Sequence, residues 1–152
     1  MRSLSEAVEL SVEAHRSSFL DYNIEVELNL DNSLSQREDL EIGSDISLAL
    51  SQFHTEIIDV RPTKAKYLTT KRDKNEVLEI YHNGPQLPVH VLDRLNNSLL
   101  RISSGKMRWK SFKHGNLIAA QRIMDGYKGR VTLHNINENG YNVKTTVEIP
   151  SL

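Results

Sequence analysis

Apolar residues recur at helical spacing from the start of the chain. Leu4, Val8, Val12, His15 and Phe19 fall three and four apart while Glu6, Glu9 and Glu13 lie elsewhere, which predicts one amphipathic helix over residues 4–20. The period then changes to two. In NIEVELNL, residues 23–30, Ile24, Val26, Leu28 and Leu30 alternate with Glu25, Glu27 and Asn29, as in a strand with one wet face. Residues 31–43 are polar and loop-like, and Ser44 or Asp45 is placed to cap a helix running to about Asp59. The buried stripe of that helix is Ile46, Leu50, Phe53 and Ile57, with Pro62 just past its end. Two short strands follow at about 64–70 and 76–82, split by a charged turn over 71–75 and closed by the turn-rich HNGPQLP at 82–88. Residues 89–102 read as a helix, 103–115 as a polar basic loop and 116–126 as a short helix. The chain closes on a hairpin, GRVTLHN and YNVKTTVEI, around Asn137-Glu138-Asn139-Gly140, and Tyr141, Val143, Thr145, Val147 and Ile149 are expected on one face.

This order has more strands than a doubly wound parallel sheet would use, and hairpins dominate it. It predicts an α+β fold: a two-layer α/β sandwich with a mixed, mainly antiparallel sheet of about five strands and helices on one face. The length of 152 residues and the absence of repeats or a linker fit a single domain spanning 1–152. An apolar content of 38% and a charged content of 26% place the chain among soluble globular proteins. With no cysteine, a disulfide scaffold, a thiolate zinc site, an iron–sulfur cluster and a cysteine nucleophile are excluded. No apolar run approaches a membrane span and the start is unlike a signal peptide, so a cytoplasmic location is expected.

The net charge of −1 conceals a gradient. Residues 1–60 carry 13 acids and 3 bases, whereas residues 101–152 carry 9 bases and 3 acids. Either the two halves lie side by side and neutralise each other, or one face meets a polyanion.

Four segments, in order, resemble the ATP-binding domain of sensor histidine kinases, in the GHKL superfamily. IEVELNLD resembles the strand before the family's first motif helix. VLEIYHNGPQLP is similar to the strand and loop the family writes V-x-D-N-G-P-G-I-P, and VLDRLNNSLLR to the helix after it. HGNLIAAQRIMDGYKGRVTLHN resembles G-L-G-L-x-I-x-x-x-I-x-x-x-x-G-G-R-I with its closing hairpin. Asn83, Gly84, Pro85, Pro88, Leu117, Ile123, Gly129 and Arg130 match in place.

The departures fall on the positions that the resemblance assigns to chemistry. The family's N-x-x-D-N-A gives an Asn oxygen to Mg²⁺, and the matching stretch is read as Ser51-Gln52-Phe53-His54-Thr55-Glu56, with hydroxyls at Ser51 and Thr55. A short hydroxyl reaches less far than an amide towards a hard cation. Glu56 either lends a carboxylate instead or is a solvent-facing helix acid. His82 stands where the family's Asp accepts from the adenine amino group; it either weakens that selectivity or is only a strand-end residue. Gln86 replaces a Gly, with an expected strain if that backbone needs positive φ. Gly115 is one register off the family's glycines and Asn116 takes the place of the second, so phosphate cradling is expected to be poor.

The degenerate nucleotide pocket therefore comprises Ser51, Thr55, His82, Asn83, Gly84, Gln86, Gly115 and Asn116, with no cofactor and no metal expected, or ATP and Mg²⁺ if the site works. The lid of the resemblance carries Arg101, Lys106, Arg108, Lys110 and Lys113, either as an anion contact or as a solvated loop. Val8, Val12, Trp109 and Phe112 are the expected partner-binding residues. No residue is assigned a catalytic role, and His15, on the apolar stripe and followed by Arg16, reads as packing. The six histidines show no H-x-x-x-H or H-E-x-x-H spacing.

The resemblance implies a degenerate histidine-kinase-like domain in two-component-type signalling, with nucleotide binding weak or lost and a protein-interaction or phosphotransfer-related role. Its partner would be a kinase, a response regulator or a second copy as a homodimer. The rival readings are a working ATP-binding kinase domain with unconventional ligands, and a nucleic-acid module using the basic, aromatic loop 101–113.

Overall fold

The computed structural model describes residues 1–41, 44–103 and 114–152. The order is α1 (Leu4–Ala14), α2 (Arg16–Asp21), β1 (Glu25–Asn29), α3 (Asp45–Val60), β2 (Lys64–Arg72), β3 (Asn75–His82), α4 (Val89–Ser103), α5 (Gly115–Asp125), β4 (Arg130–Glu138) and β5 (Tyr141–Pro150). One five-stranded sheet runs β1-β2-β3-β5-β4, and only the β1–β2 pair is parallel. The fold is the expected α+β sandwich with a mixed, mainly antiparallel sheet.

The amphipathic patterns assemble one core. The stripe Ile46, Leu50, Phe53 and Ile57 of α3 is buried against Leu117, Ile118 and Met124 near α5 and against Ile80, Leu78 and Val147 on the sheet. Edge strand β4 has its backbone bonded by side chains from the helical layer. Asn96 of α4 accepts from Leu133 N and donates to Leu133 O, and Gln121 of α5 accepts from Val131 N and donates to Gly129 O. Such bonds leave less of the edge free to pair with another chain.

A buried arginine ties the ends of the fold together. Arg37, 2% exposed, bonds Asp39 through Nε and Nη2, and through Nη1 it bonds the Glu76 carboxylate at 3.0 Å and the Pro150 carbonyl at 2.8 Å. Its backbone exchanges two hydrogen bonds with Arg2.

Three local expectations are corrected. The predicted helix over 4–20 is two helices, because the Nδ1–H of His15 bonds the Ser11 carbonyl while the His15 backbone N–H turns to Val12 O, which breaks the regular ladder. Tyr141 does not share a face with Val143: its ring lies 5.7 Å from that of Tyr81, under the ammonium groups of Lys64 and Lys66. Val8 and Val12, expected to meet a partner, are each 0% exposed and belong to the core, so they are closed to docking; Leu10 is the exposed large apolar residue of α1. Among the described residues no helix is long and apolar enough to cross a membrane.

Candidate functional site

The sheet and helices enclose a cavity of about 950 Å³. Its floor is a row across three strands, since Ile80 of β3 pairs with Thr145 of β5 and Thr145 with Leu133 of β4, and all three line it. The next pair, His82 with Val143, continues the floor. Helix α3 supplies Gln52, Phe53, Glu56, Ile57, Asp59 and Val60 as one wall, and the start of α5 supplies the opposite one. The segment Pro85–Pro88 closes one side, held to β4 because Leu87 N donates to Asn135 Oδ1 and Asn135 Nδ2 donates to Leu87 O.

Of the expected pocket residues, His82, Gln86, Gly115 and Asn116 line the cavity. Ser51 and Thr55 do not. Ser51 Oγ lies 3.2 Å from His15 Nε2, on the side of α3 that meets α1, and exposed Thr55 donates back to the Ser51 carbonyl. The positions with the motif's i, i+4 spacing that face the cavity are Gln52 and Glu56, one residue further along. Glu56 is not a solvent-facing acid. It is 8% exposed and hydrogen-bonded to Nδ1 of His114, which caps α5 in the left-handed region at φ 70°. That conformation costs a non-glycine residue roughly 1–2 kcal/mol. Asn116 Nδ2 donates to Asp59 Oδ2 at 3.1 Å, a second bridge between α5 and α3.

Asn83 and Gly84 support the site without lining it. Asn83 Oδ1 accepts from the backbone N–H groups of Thr63 and Lys64, and Asn142 Nδ2 donates to the carbonyls of Asn83 and Gly84. A Cβ at Gly84 would lie 2.6 Å from Val60 Cγ1 and 2.9 Å from His82 Nδ1, so close packing requires glycine here. His82 Nδ1 accepts from the Gly84 backbone N–H at 3.0 Å. Burial pushes the His82 ring down to about 4, with the Glu56 carboxylate pulling the other way, so the ring is neutral at pH 7. The strain expected at Gln86 is absent, because its φ is not positive and its side-chain amide donates to the Ile136 carbonyl instead.

Arg101 sits exposed at the end of α4, outside the cavity lining. Lys106, Arg108, Trp109, Lys110, Phe112 and Lys113 lie outside the described residues. Among the described lining residues there is no lysine or arginine, and among all described residues no three His, Asp or Glu side chains gather to hold a metal ion.

No protein-family model and no curated protein matches the chain. Solved structures do. The nucleotide-free catalytic domain of histidine kinase ThkA is 16% identical with a TM-score of 0.71, covering 98% of this chain and 94% of that one. Full-length ShkA in complex with AMPPNP is 13% identical with a TM-score of 0.69, covering 97% of this chain and 30% of that one. Histidine kinase ThkA in complex with the response regulator protein TrrA is 17% identical with a TM-score of 0.66, covering 99% of this chain and 41% of that one. The fold is therefore that of the catalytic, ATP-binding domain of histidine kinases.

Proposed function

We propose that this chain serves two-component-type signal transduction through a protein-interaction or phosphotransfer-related role, with a pocket that holds ATP and Mg²⁺ weakly or not at all. The observation that carries the reading is that both carboxylates of the described lining, and the acceptor nitrogen of His82, already have partners within the protein. Glu56 is bonded to His114, Asp59 to Asn116, and the one acceptor nitrogen of His82 to Gly84. A magnesium ion wants free hard-oxygen ligands, and phosphoryl transfer rests on charge stabilisation and positioning. The residues present do not fit that pair: the cavity's described lining offers two carboxylates that already have partners and no lysine or arginine. The response regulator held by one structural neighbour supports a partner of that kind here, and a kinase or a second copy fits the same role.

A second reading keeps a working ATP-binding domain, favoured by the open cavity of about 950 Å³, within the range of ligand pockets. Thermal denaturation with ATP or ADP, with and without Mg²⁺, separates the two. A ligand at 100 times its Kd adds about 2.7 kcal/mol, several degrees for a chain of this size. The expected result is no such shift. A shift that needs Mg²⁺ and disappears in Glu56→Ala overturns the proposal and establishes the second reading.

A further inference from the structure

We propose that the cavity binds an uncharged, planar ring that presents a carbonyl oxygen to Nε2–H of His82, and that it rejects the same ring carrying an amino group there. The inference rests on the reading of this cavity as one that does not serve ATP and Mg²⁺, and names what it takes instead.

The position of one proton sets the polarity that His82 presents to the cavity. A backbone N–H only donates, so the 3.0 Å contact from Gly84 N fixes His82 Nδ1 as an acceptor. A neutral imidazole has one acceptor and one donor, which leaves the proton on Nε2. The loop that imposes this tautomer is pinned by Asn83 and Asn142, and only a residue without a Cβ fits at Gly84 beside Val60. The ring is 5% exposed, lines the cavity, and has no partner for Nε2 among the described residues. Nε2 is not among the buried side-chain atoms that lack a partner, so its N–H is left open to the cavity, where an acceptor on a ligand takes its hydrogen bond. An amino group would set donor against donor.

The surroundings define the rest of the ligand. Ile80, Leu133 and Val143, with Thr145 between them, form a mostly apolar floor and Phe53 and Ile57 an apolar wall, which suit a flat ring. Among the described lining residues Glu56 and Asp59 stand without a lysine or arginine beside them, which disfavours a polyanion at this part of the cavity. The AMPPNP held by full-length ShkA makes a purine the apt probe ring. Inosine and adenosine form the matched pair, since they differ in carrying an oxo or an amino group at one carbon.

The test is calorimetric titration of the whole chain with inosine and with adenosine at pH 7.5. Inosine is expected to bind at least tenfold more tightly, and His82→Asp, which turns the donor into an acceptor, is expected to reverse the order. Equal affinities, a preference for adenosine, or no binding of either nucleoside at millimolar concentration overturns the proposal. Should His82→Asp fail to fold, long-range ¹⁵N–¹H spectra of the unsubstituted chain read the tautomer directly: a proton on Nε2 supports the proposal and one on Nδ1 sinks it. Failure here with no response to ATP and Mg²⁺ leaves the signalling reading standing, whereas a Mg²⁺-dependent ATP shift removes both.

Discussion

His54 and His82 are both buried, at 0% and 5% exposure, and burial drives both rings well below their ordinary pKa. Their surroundings differ. In the seam between α1, α3 and the sheet, both nitrogens of His54 are used: Nε2 lies 2.7 Å from Ser11 Oγ and Nδ1 lies 2.8 Å from Tyr67 OH. Rings of His15, Phe19 and Tyr67 close around it. At the cavity, His82 has one nitrogen bonded to the backbone and the other without a described partner. Burial of a polar group therefore does not mark a site. What separates a structural histidine from one available to a ligand is whether its hydrogen-bonding capacity is already taken by the protein.

The largest effect is expected from acid. The unfolded chain takes up protons on both rings near pH 6.5, while the folded chain refuses them until about pH 4 at His82 and about pH 3 at His54. Both folded values are depressed, so this stability is fully present above about pH 6.5 and is lost as pH falls, at up to about 1.4 kcal/mol per unit for each ring. Urea titrations across pH should show the slope contributed by His82 vanish in His82→Asn while that of His54 persists to lower pH. If the two rings contribute alike down to pH 3, the contrast in their surroundings fails.

Next in size is Arg37→Ala. It strands Glu76, whose side chain is 3% exposed, and should cost about 3–5 kcal/mol in chemical denaturation without altering nucleoside titrations. His54→Leu leaves the hydroxyl of fully buried Tyr67 unpaired and should cost about 1–3 kcal/mol, again with ligand selectivity unchanged. A change in inosine affinity in that variant would show that seam and cavity are not separate. Smallest is Thr55→Ala: an exposed hydroxyl bonded only to its own helix should move stability by less than about 0.5 kcal/mol and leave nucleotide response untouched.

The sheet and the two long helices were legible because period-two and period-3.6 patterns are strong over α3, α4, β2, β3 and the closing hairpin. The break at His15 was not, because a helix-breaking side-chain bond leaves the apolar spacing intact. The site was legible only in outline. The stripe of α3 establishes which face is buried, but not which flank of that stripe meets the cavity. Ser51 with Thr55 and Gln52 with Glu56 have the same i, i+4 spacing, and only the packing of α1 against one flank distinguishes them. Glu56 reads as a surface acid because its partner, His114, is 58 residues away in sequence. The Asn135 side chain that holds Leu87 is likewise remote, 48 residues away, so the ordinary backbone at Gln86 could not be foreseen.

Arg37 has an engineering corollary. It exchanges backbone bonds with Arg2 and reaches the carbonyl of Pro150, so the first and last ordered segments emerge at one corner of the sandwich. A short peptide bridging them, with new ends opened in the exposed turn at Asn139-Gly140 at the opposite end of β5, would give a circularly permuted chain that keeps this corner intact.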